Sequence, residues 1–215
     1  MRRSFSRVFA AGLPVGLAIA ACSSATGARR AQPAAEASRS PAAPIRADTG
    51  RPRYTAADVH FMSAMIVHHA QAVLIAGWAP THDAGPAVRV LCERIVVAQN
   101  DEIAFIERWL RERQQPVPGA SPDHTPPGTD HPMPVPGMLT AAQLAHLDGA
   151  RGRAFDRRLL TFMIHHHQGA ITMVQQLLGT QGAAQDGLVF RFAADVHADQ
   201  SAEIDRMSRM LAALP

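Results

Sequence analysis

The 215-residue sequence contains no lysine and only two cysteines, and aromatic residues make up 5% of it. Because aromatic and β-branched runs are also scarce, a large β-sandwich or doubly wound sheet has little material from which to form. Hydrophobic residues nevertheless account for 47% of the chain, which is enough to bury the core of one modest domain. We therefore expect an all-α fold.

The positive charge of the chain is confined to arginine, with 21 basic residues against 18 acidic ones. Arg2, Arg3 and Arg7 lie in a predicted export signal, and its removal leaves 18 arginines. The mature chain is then neutral, which argues against nucleic acid as a partner.

Residues 1–21 predict a signal peptide, because a basic start is followed by an apolar stretch that is too short to span a bilayer. The stretch ends in Ile19-Ala20-Ala21-Cys22, which resembles a bacterial lipobox. We therefore predict an exported protein whose Cys22 carries a lipid that anchors it to the membrane. The alternative is an ordinary secretory signal with an incidental Cys22. Acylation of Cys22 would leave Cys92 without a disulfide partner.

Two segments rich in small residues and proline divide the remaining chain. Residues 22–53 contain almost no large apolar side chains and predict a disordered tether. Residues 115–139 form a Pro-rich linker, whose His124 and His131 we interpret as parts of a polar spacer. The linker separates residues 54–114 from residues 140–215, and we expect these two halves to form one domain.

The two halves repeat each other with an offset of 98 residues. Met65–Ala72, which contains His68 and His69, aligns with Met163–Ala170, which contains His166 and His167. Asp58 aligns with Asp156, and each half later contains Gln-x-x-Glu-Ile. Each half is thus predicted to be a helical hairpin, and two hairpins would form a four-helix bundle. The predicted helices are 55–78, 86–113, 153–178 and 188–214, with a short additional helix over 141–150.

Helical periodicity places the histidine pairs and two glutamates on buried faces. At about 100° per residue, Met62, Met65 and His69 share one stripe, with His68 at its edge. Glu102 and Glu203 lie on apolar faces of the partner helices, so each needs a cation, a hydrogen-bond donor or a metal, and the histidines are the nearest candidates. His60, His82 and His165 are predicted to lie at the surface.

These motifs resemble the bacterial family called domain of unknown function 305, whose pattern is Phe-x-x-x-Met-Ile-x-His-His followed by Gln-x-x-Glu-Ile. The resemblance runs from about Asp58 to Leu211 and implies an exported, ferritin-like four-helix bundle. Some members are similar to periplasmic copper-binding proteins. Carried over residue by residue, the resemblance implies the following metal ligands: Met62, Met65, His68, His69, Met163, His166, His167 and Met173. Leu160 and Ile75 stand where the other repeat has methionine.

Two interpretations of this set remain open. Thioether and imidazole ligands suit copper, especially Cu(I), whereas zinc has no use for methionine and a di-iron site needs Glu-x-x-His motifs that the sequence lacks. In that reading the supporting or alternative ligands are Gln99, Glu102, Gln200 and Glu203. In the second reading these four residues only hydrogen-bond the histidines in a polar ladder that fixes helix register.

The sequence therefore predicts a lipid-anchored, exported protein that captures or buffers a metal, with copper preferred over zinc. The alternative is an envelope module with a structural or interaction role and no metal. We predict no enzymatic activity, because the sequence has no phosphate-binding glycine loop, nucleophile elbow or Cys-His pair. The metal-delivery partner stays open, and a homo-oligomer is compatible with this interpretation.

Overall fold

The computed structural model describes residues 54–119 and 135–215 of the chain. The predicted signal peptide with Cys22, the tether and the central part of the linker lie outside these residues. Five helices and no strand occur in the described ranges, which confirms the all-α fold class. They are α1 (Ala56–Gly77), α2 (Pro86–Glu112), α3 (Ala141–Asp148), α4 (Gly152–Gly179) and α5 (Gly187–Ala213).

The helix ends follow local sequence signals. Thr55 and Asp58 form a capping box at the start of α1, and Thr140 and Gln143 form another at the start of α3. In each box the side chains satisfy backbone N–H groups that the first helical turn leaves unpaired. Pro86 occupies the first turn of α2, where its missing N–H costs nothing.

The four long helices form two hairpins that meet through α1 and α4. Helix α1 packs against α2 and against α4, and α4 packs against α5. Asp58 at the start of α1 accepts a hydrogen bond of 2.6 Å from the Ala184 backbone N–H, in the turn of the second hairpin. Asp156, its counterpart in the repeat, accepts one of 3.1 Å from Gly85, in the turn of the first. The hairpins are therefore antiparallel, and the aspartates join their ends.

Apolar residues gather in two clusters, one toward each end of the bundle. One cluster contains the first half of α1 and the second half of α4, including Phe61 and Leu177. The other contains the opposite halves, including Ile75 and Phe155. By length and composition α1 is apolar enough to cross a membrane, but 78% of that stretch is buried inside the bundle. Such burial is typical of the core helix of a folded domain.

His82 was predicted at the surface, and that prediction is wrong. The side chain is 4% exposed and its Nε2 lies 3.0 Å from both the backbone oxygen and Oδ1 of Asp148. Nδ1 lies 3.0 Å from the Trp78 carbonyl oxygen. The reason is that α3 folds back over the turn of the first hairpin, a contact that the periodicity of a single helix does not reveal.

A candidate metal centre in the bundle

A polar layer separates the two apolar clusters at the middle of the bundle. His68 and His69 of α1 and His166 and His167 of α4 are all fully buried there. In the sequence of each helix the pair lies between residues of one cluster and residues of the other. The repeat therefore brings the two pairs to one level, because α1 and α4 are antiparallel and the pairs occupy equivalent positions.

One histidine of each pair meets a glutamate of its own hairpin. The His167 Nε2 donates a hydrogen bond of 2.7 Å to Oε2 of Glu203. In the other hairpin His69 Nε2 and Glu102 Oε2 are 2.8 Å apart, but the pair lacks hydrogen-bond alignment within the described residues. The imidazole and the carboxylate are thus close enough to attract each other, but their geometry is not that of a hydrogen bond. The glutamate side chains are 20% and 24% exposed, so each connects a buried imidazole to solvent.

The other two histidines stack on each other between α1 and α4. The ring centroids of His68 and His166 are 3.8 Å apart and their planes are inclined by 36°. Burial lowers the pKa of both rings well below the usual value, and the neighbouring histidines lower it further. Both rings are therefore neutral at pH 7, and each retains a nitrogen lone pair that could bind a metal.

The hydrogen-bond partners assign one tautomer in the layer. His68 Nε2 lies 3.1 Å from the backbone oxygen of Pro136, and a carbonyl oxygen can only accept. The proton is thus on Nε2, which leaves the Nδ1 lone pair of His68 available. Within residues 54–119 and 135–215, Nδ1 of His69 and His167 and both ring nitrogens of His166 have no hydrogen-bond partner either.

The spacing within each consecutive pair suits a shared ion. The centroids of His68 and His69 are 6.2 Å apart, as are those of His166 and His167. With a metal–nitrogen distance of about 2.0 Å, two imidazoles on opposite sides of one ion have centroids separated by up to about 6.3 Å. The centroid distance of each pair lies within that limit. The described residues contain no group of three or more His, Cys, Asp or Glu side chains placed to hold a metal.

The methionines predicted as ligands are buried on either side of the polar layer. Met62, Met65 and Met173 belong to one apolar cluster and Met163 belongs to the other. Leu160 and Ile75, which replace methionine in the repeats, are also fully buried. All these side chains pack in the core, so the thioether ligand role remains a prediction beside an observed packing role.

Gln99 and Gln200 do not take part in the predicted ladder. Both side chains are buried, at 2% and 3% exposed. In the described part of the chain, neither amide nitrogen nor oxygen of Gln99 has a hydrogen-bond partner, and the same holds for the oxygen of Gln200. The structure therefore contradicts a ladder in which both glutamines bind the histidines. Of the glutamate contacts, His167 and Glu203 form a hydrogen bond, whereas His69 and Glu102 only approach each other.

Residues 135–140, which we call the strap, close one side of the layer, a contact that the sequence did not predict. The Gln71 side chain pairs with the strap backbone through Leu139, donating from Nε2 over 3.1 Å and accepting at Oε1 over 2.7 Å. Gly169 of α4 lies so close to Pro136 that an added Cβ would be 2.2 Å from the Pro136 oxygen. Gln71 and Gly169 occupy the same repeat position. The break in the repeat is thus the signal that could have revealed the strap.

The remaining thiol is unsuited to metal capture. Cys92 is 2% exposed, and burial raises its pKa to about 12. A thiol binds soft metals as thiolate, so we interpret Cys92 as a core side chain.

Fold and site together define a class of protein: an all-helical bundle of two repeated hairpins with a buried layer of consecutive histidines. The chain belongs to the DUF305 family, a domain of unknown function, whose sequence profile matches residues 58–211. A comparison with curated protein sequences finds no match.

Several solved structures are similar to the chain. A DUF305 protein from Streptomyces coelicolor, described as a candidate secreted protein, is 28% identical, with a TM-score of 0.62 over 73% of this chain and 92% of that chain. A DUF305 fragment from Deinococcus radiodurans is 28% identical, with a TM-score of 0.62 over 75% and 99%. CopM in its Cu(II)-bound form is 27% identical, with a TM-score of 0.57 over 72% and 95%. Further CopM structures contain Cu(I) or silver.

Proposed function

We propose that the protein captures or buffers copper, and that His68 with His69 and His166 with His167 hold it as Cu(I) inside the bundle. The observation that carries this proposal is the set of fully buried imidazole nitrogens without a partner in the described chain. A buried polar atom without a partner costs about 1–3 kcal/mol, so an ion that satisfies several of them binds favourably. The copper and silver structures of CopM support the same chemistry.

The low number of neighbouring ligands favours a monovalent soft ion. Zinc in proteins takes four ligands, whereas Cu(I) accepts two imidazoles with a nearby thioether. Met65 and Met163 precede the two pairs by three residues and lie on the same faces, so they are the thioethers that would complete the sites. Nothing in this function requires turnover, and we propose no catalytic role.

The test is metal binding by the chain without residues 1–22, using Cu(I) under anaerobic conditions with a competing chelator. We expect H68A/H69A and H166A/H167A each to lose binding at one pair, and the combined variant to lose it entirely. The matched control is H165A, because His165 is adjacent in sequence but exposed. Circular dichroism verifies that each variant folds, and H68Q/H69Q serves if alanine unfolds the bundle. Unchanged stoichiometry in the folded combined variant would reject the site.

The alternative, a structural or interaction module without metal, gives a different thermal result. A ligand that binds only the folded state stabilises it by about 2.7 kcal/mol at a concentration of 100 times its Kd. We therefore expect Cu(I) to raise the Tm of the wild-type chain and to leave the Tm of the combined histidine variant unchanged. A module whose polar layer serves only the fold would show no rise in either protein.

We further propose that the protein is exported and held at the membrane by a lipid on Cys22. The lipobox-like residues Ile19 to Cys22 support this, as does the description of the Streptomyces coelicolor relative. Labelling of cells with a radioactive fatty acid should mark the wild-type protein, whereas C22S should remain unlabelled. Label in C22S, or its absence from the wild type, would contradict the anchor.

A further inference from the structure

The polar layer is closed on one side and approachable on the other. On the closed side the strap contacts His68 through Pro136 and packs directly on α4 at Gly169. On the opposite side α2 and α5 lie next to each other, with the rings of Phe105 and Phe192 stacked at a centroid distance of 5.3 Å. A cavity of about 230 Å³ lies between them, and its lining residues are Arg94, Ala98, Gln99, Glu102, Asp199, Gln200, Ala202 and Glu203.

Carboxylates dominate this side of the bundle. A neighbouring groove of about 390 Å³ shares Glu102 and Asp199 with the cavity and adds Asp101 and Asp195, together with Arg191 and apolar residues. Burial raises the pKa of Asp199, and the charges of Glu102, Asp195 and Glu203 raise it further, so these groups are close enough to repel one another. A cation among them relieves that repulsion.

A second observation, independent of the acidic residues, also indicates a ligand. Gln99 and Gln200 line the cavity while 97% or more buried, and both side-chain oxygens are without a hydrogen-bond partner in the described residues. An amide oxygen that is removed from water and accepts no hydrogen bond is available as a ligand for a cation. Beyond them, Glu102 and Glu203 reach His69 and His167 at 2.8 and 2.7 Å.

We propose that the cavity between α2 and α5 is a transient cation site through which a metal ion reaches the histidine layer. Asp195 and Asp199 attract the hydrated cation, the amide oxygens of Gln99 and Gln200 replace part of its water, and Glu102 and Glu203 pass it to the imidazoles. This inference rests on the proposed metal binding, and it adds the direction from which the metal arrives. The expected ligand is a small hydrated metal cation, because the carboxylates would repel an anionic metal chelate.

The probe is Ag(I) as the nitrate salt in chloride-free buffer, because it is a soft monovalent aqua ion. Uptake is followed by stopped-flow ultraviolet absorbance, and affinity is measured by isothermal titration calorimetry. In D195N/D199N we expect uptake about tenfold slower at 10 mM ionic strength, where the Debye length is about 30 Å. The difference should shrink to within about twofold at 1 M sodium nitrate, where that length is about 3 Å. The control E93Q/E112Q removes two exposed carboxylates of α2 outside the groove, and its uptake should match the wild type.

A second variant tests the passage itself. In Q99L/Q200L we expect uptake of Ag(I) to slow by about fivefold or more, with the Tm unchanged. The Tm should not fall because the replaced amides have unpaired buried atoms, and apolar groups of the same shape do not destabilise such positions.

The outcomes separate this inference from the proposed function. A wild-type chain that binds no Ag(I) at equilibrium would overturn both. A wild-type chain that binds Ag(I), with D195N/D199N and Q99L/Q200L matching its uptake at low ionic strength, would overturn only the entrance between α2 and α5. Slower uptake in both variants, with an unchanged Tm in Q99L/Q200L and an unaffected control, is the result we expect.

Discussion

Replacing Gly169 by alanine tests the contact between the strap and α4. Alanine favours a helix interior over glycine by about 1 kcal/mol, so local propensity alone predicts a more stable protein. However, the new Cβ would lie 2.2 Å from the Pro136 oxygen and 2.5 Å from the Gly137 Cα. These are backbone atoms, so the strap has to move away rather than adjust a side chain.

The cost of G169A follows from the hydrogen bonds that a displaced strap loses. They are the bond from His68 to Pro136 and the two bonds between Gln71 and Leu139. At about 1 kcal/mol each, their loss costs about 3 kcal/mol, and the helix propensity returns about 1 kcal/mol. We expect a net destabilisation of about 2 kcal/mol, which lowers the Tm by about 4–8 °C for a domain of this size.

The assay is urea unfolding followed by far-ultraviolet circular dichroism, with thermal unfolding alongside. The control is G179A in the same helix, because a Cβ at Gly179 would meet nothing within 4 Å. That substitution should leave stability unchanged or raise it by up to about 1 kcal/mol. A G169A variant as stable as G179A would refute the close packing of the strap.

Three further predictions concern the buried ionisable groups. The folded-state pKa of His68 and of His166 is lowered, so the stability that comes from their neutral forms is complete above pH 6.5 and is lost as the pH falls from 6.5 toward the folded-state pKa values. In that range the free energy of unfolding should drop by up to about 2.7 kcal/mol per pH unit, and H166Q should halve that slope in urea titrations. In the same urea assay D58A should lower the free energy of unfolding by about 3 kcal/mol and D156A by about 1–2 kcal/mol, because Asp58 forms a capping box in addition to its hydrogen bond to the turn of the other hairpin. A larger loss in D156A than in D58A would contradict this. Burial raises the pKa of Cys92 to about 12, so its thiol should resist iodoacetamide at pH 8 in the native protein and react in urea, as measured by mass spectrometry. Rapid labelling of the native protein would contradict the burial of Cys92.

Periodicity and the internal repeat were sufficient to predict the helices and the meeting of each glutamate with a histidine. Both features depend on the spacing of residues along one helix and on the short turn within one hairpin. These two properties can be read directly from the sequence. Glu102 and Glu203 were expected to need partners, and they approach His69 and His167.

The strap was not predicted because its contacts join residues 68 positions apart through backbone atoms that carry no compositional signal. The same limit hid His82, which is covered by α3 through contacts 66 positions apart. Only the difference between Gln71 and Gly169 recorded the strap in the sequence, as an interruption of an otherwise regular repeat. Gly169 lets the strap backbone approach α4 closely because it has no Cβ. Gln71 hydrogen-bonds the strap backbone because its amide side chain has both a donor and an acceptor.

The energetics of the polar layer support the proposed metal binding. Apart from the contact between His69 and Glu102, eight side-chain nitrogen and oxygen atoms of its histidines and glutamines are buried without hydrogen-bond partners in the described chain. At about 1 kcal/mol each, they would cost about 8 kcal/mol, which is comparable to the whole net stability of about 5–15 kcal/mol that is typical of a domain. Leucine and methionine at these positions would extend the two apolar clusters into one core at no such cost. In the proposed function a soft cation from outside the chain satisfies these atoms, and Glu102 and Glu203, which contact His69 and His167, connect the layer to solvent.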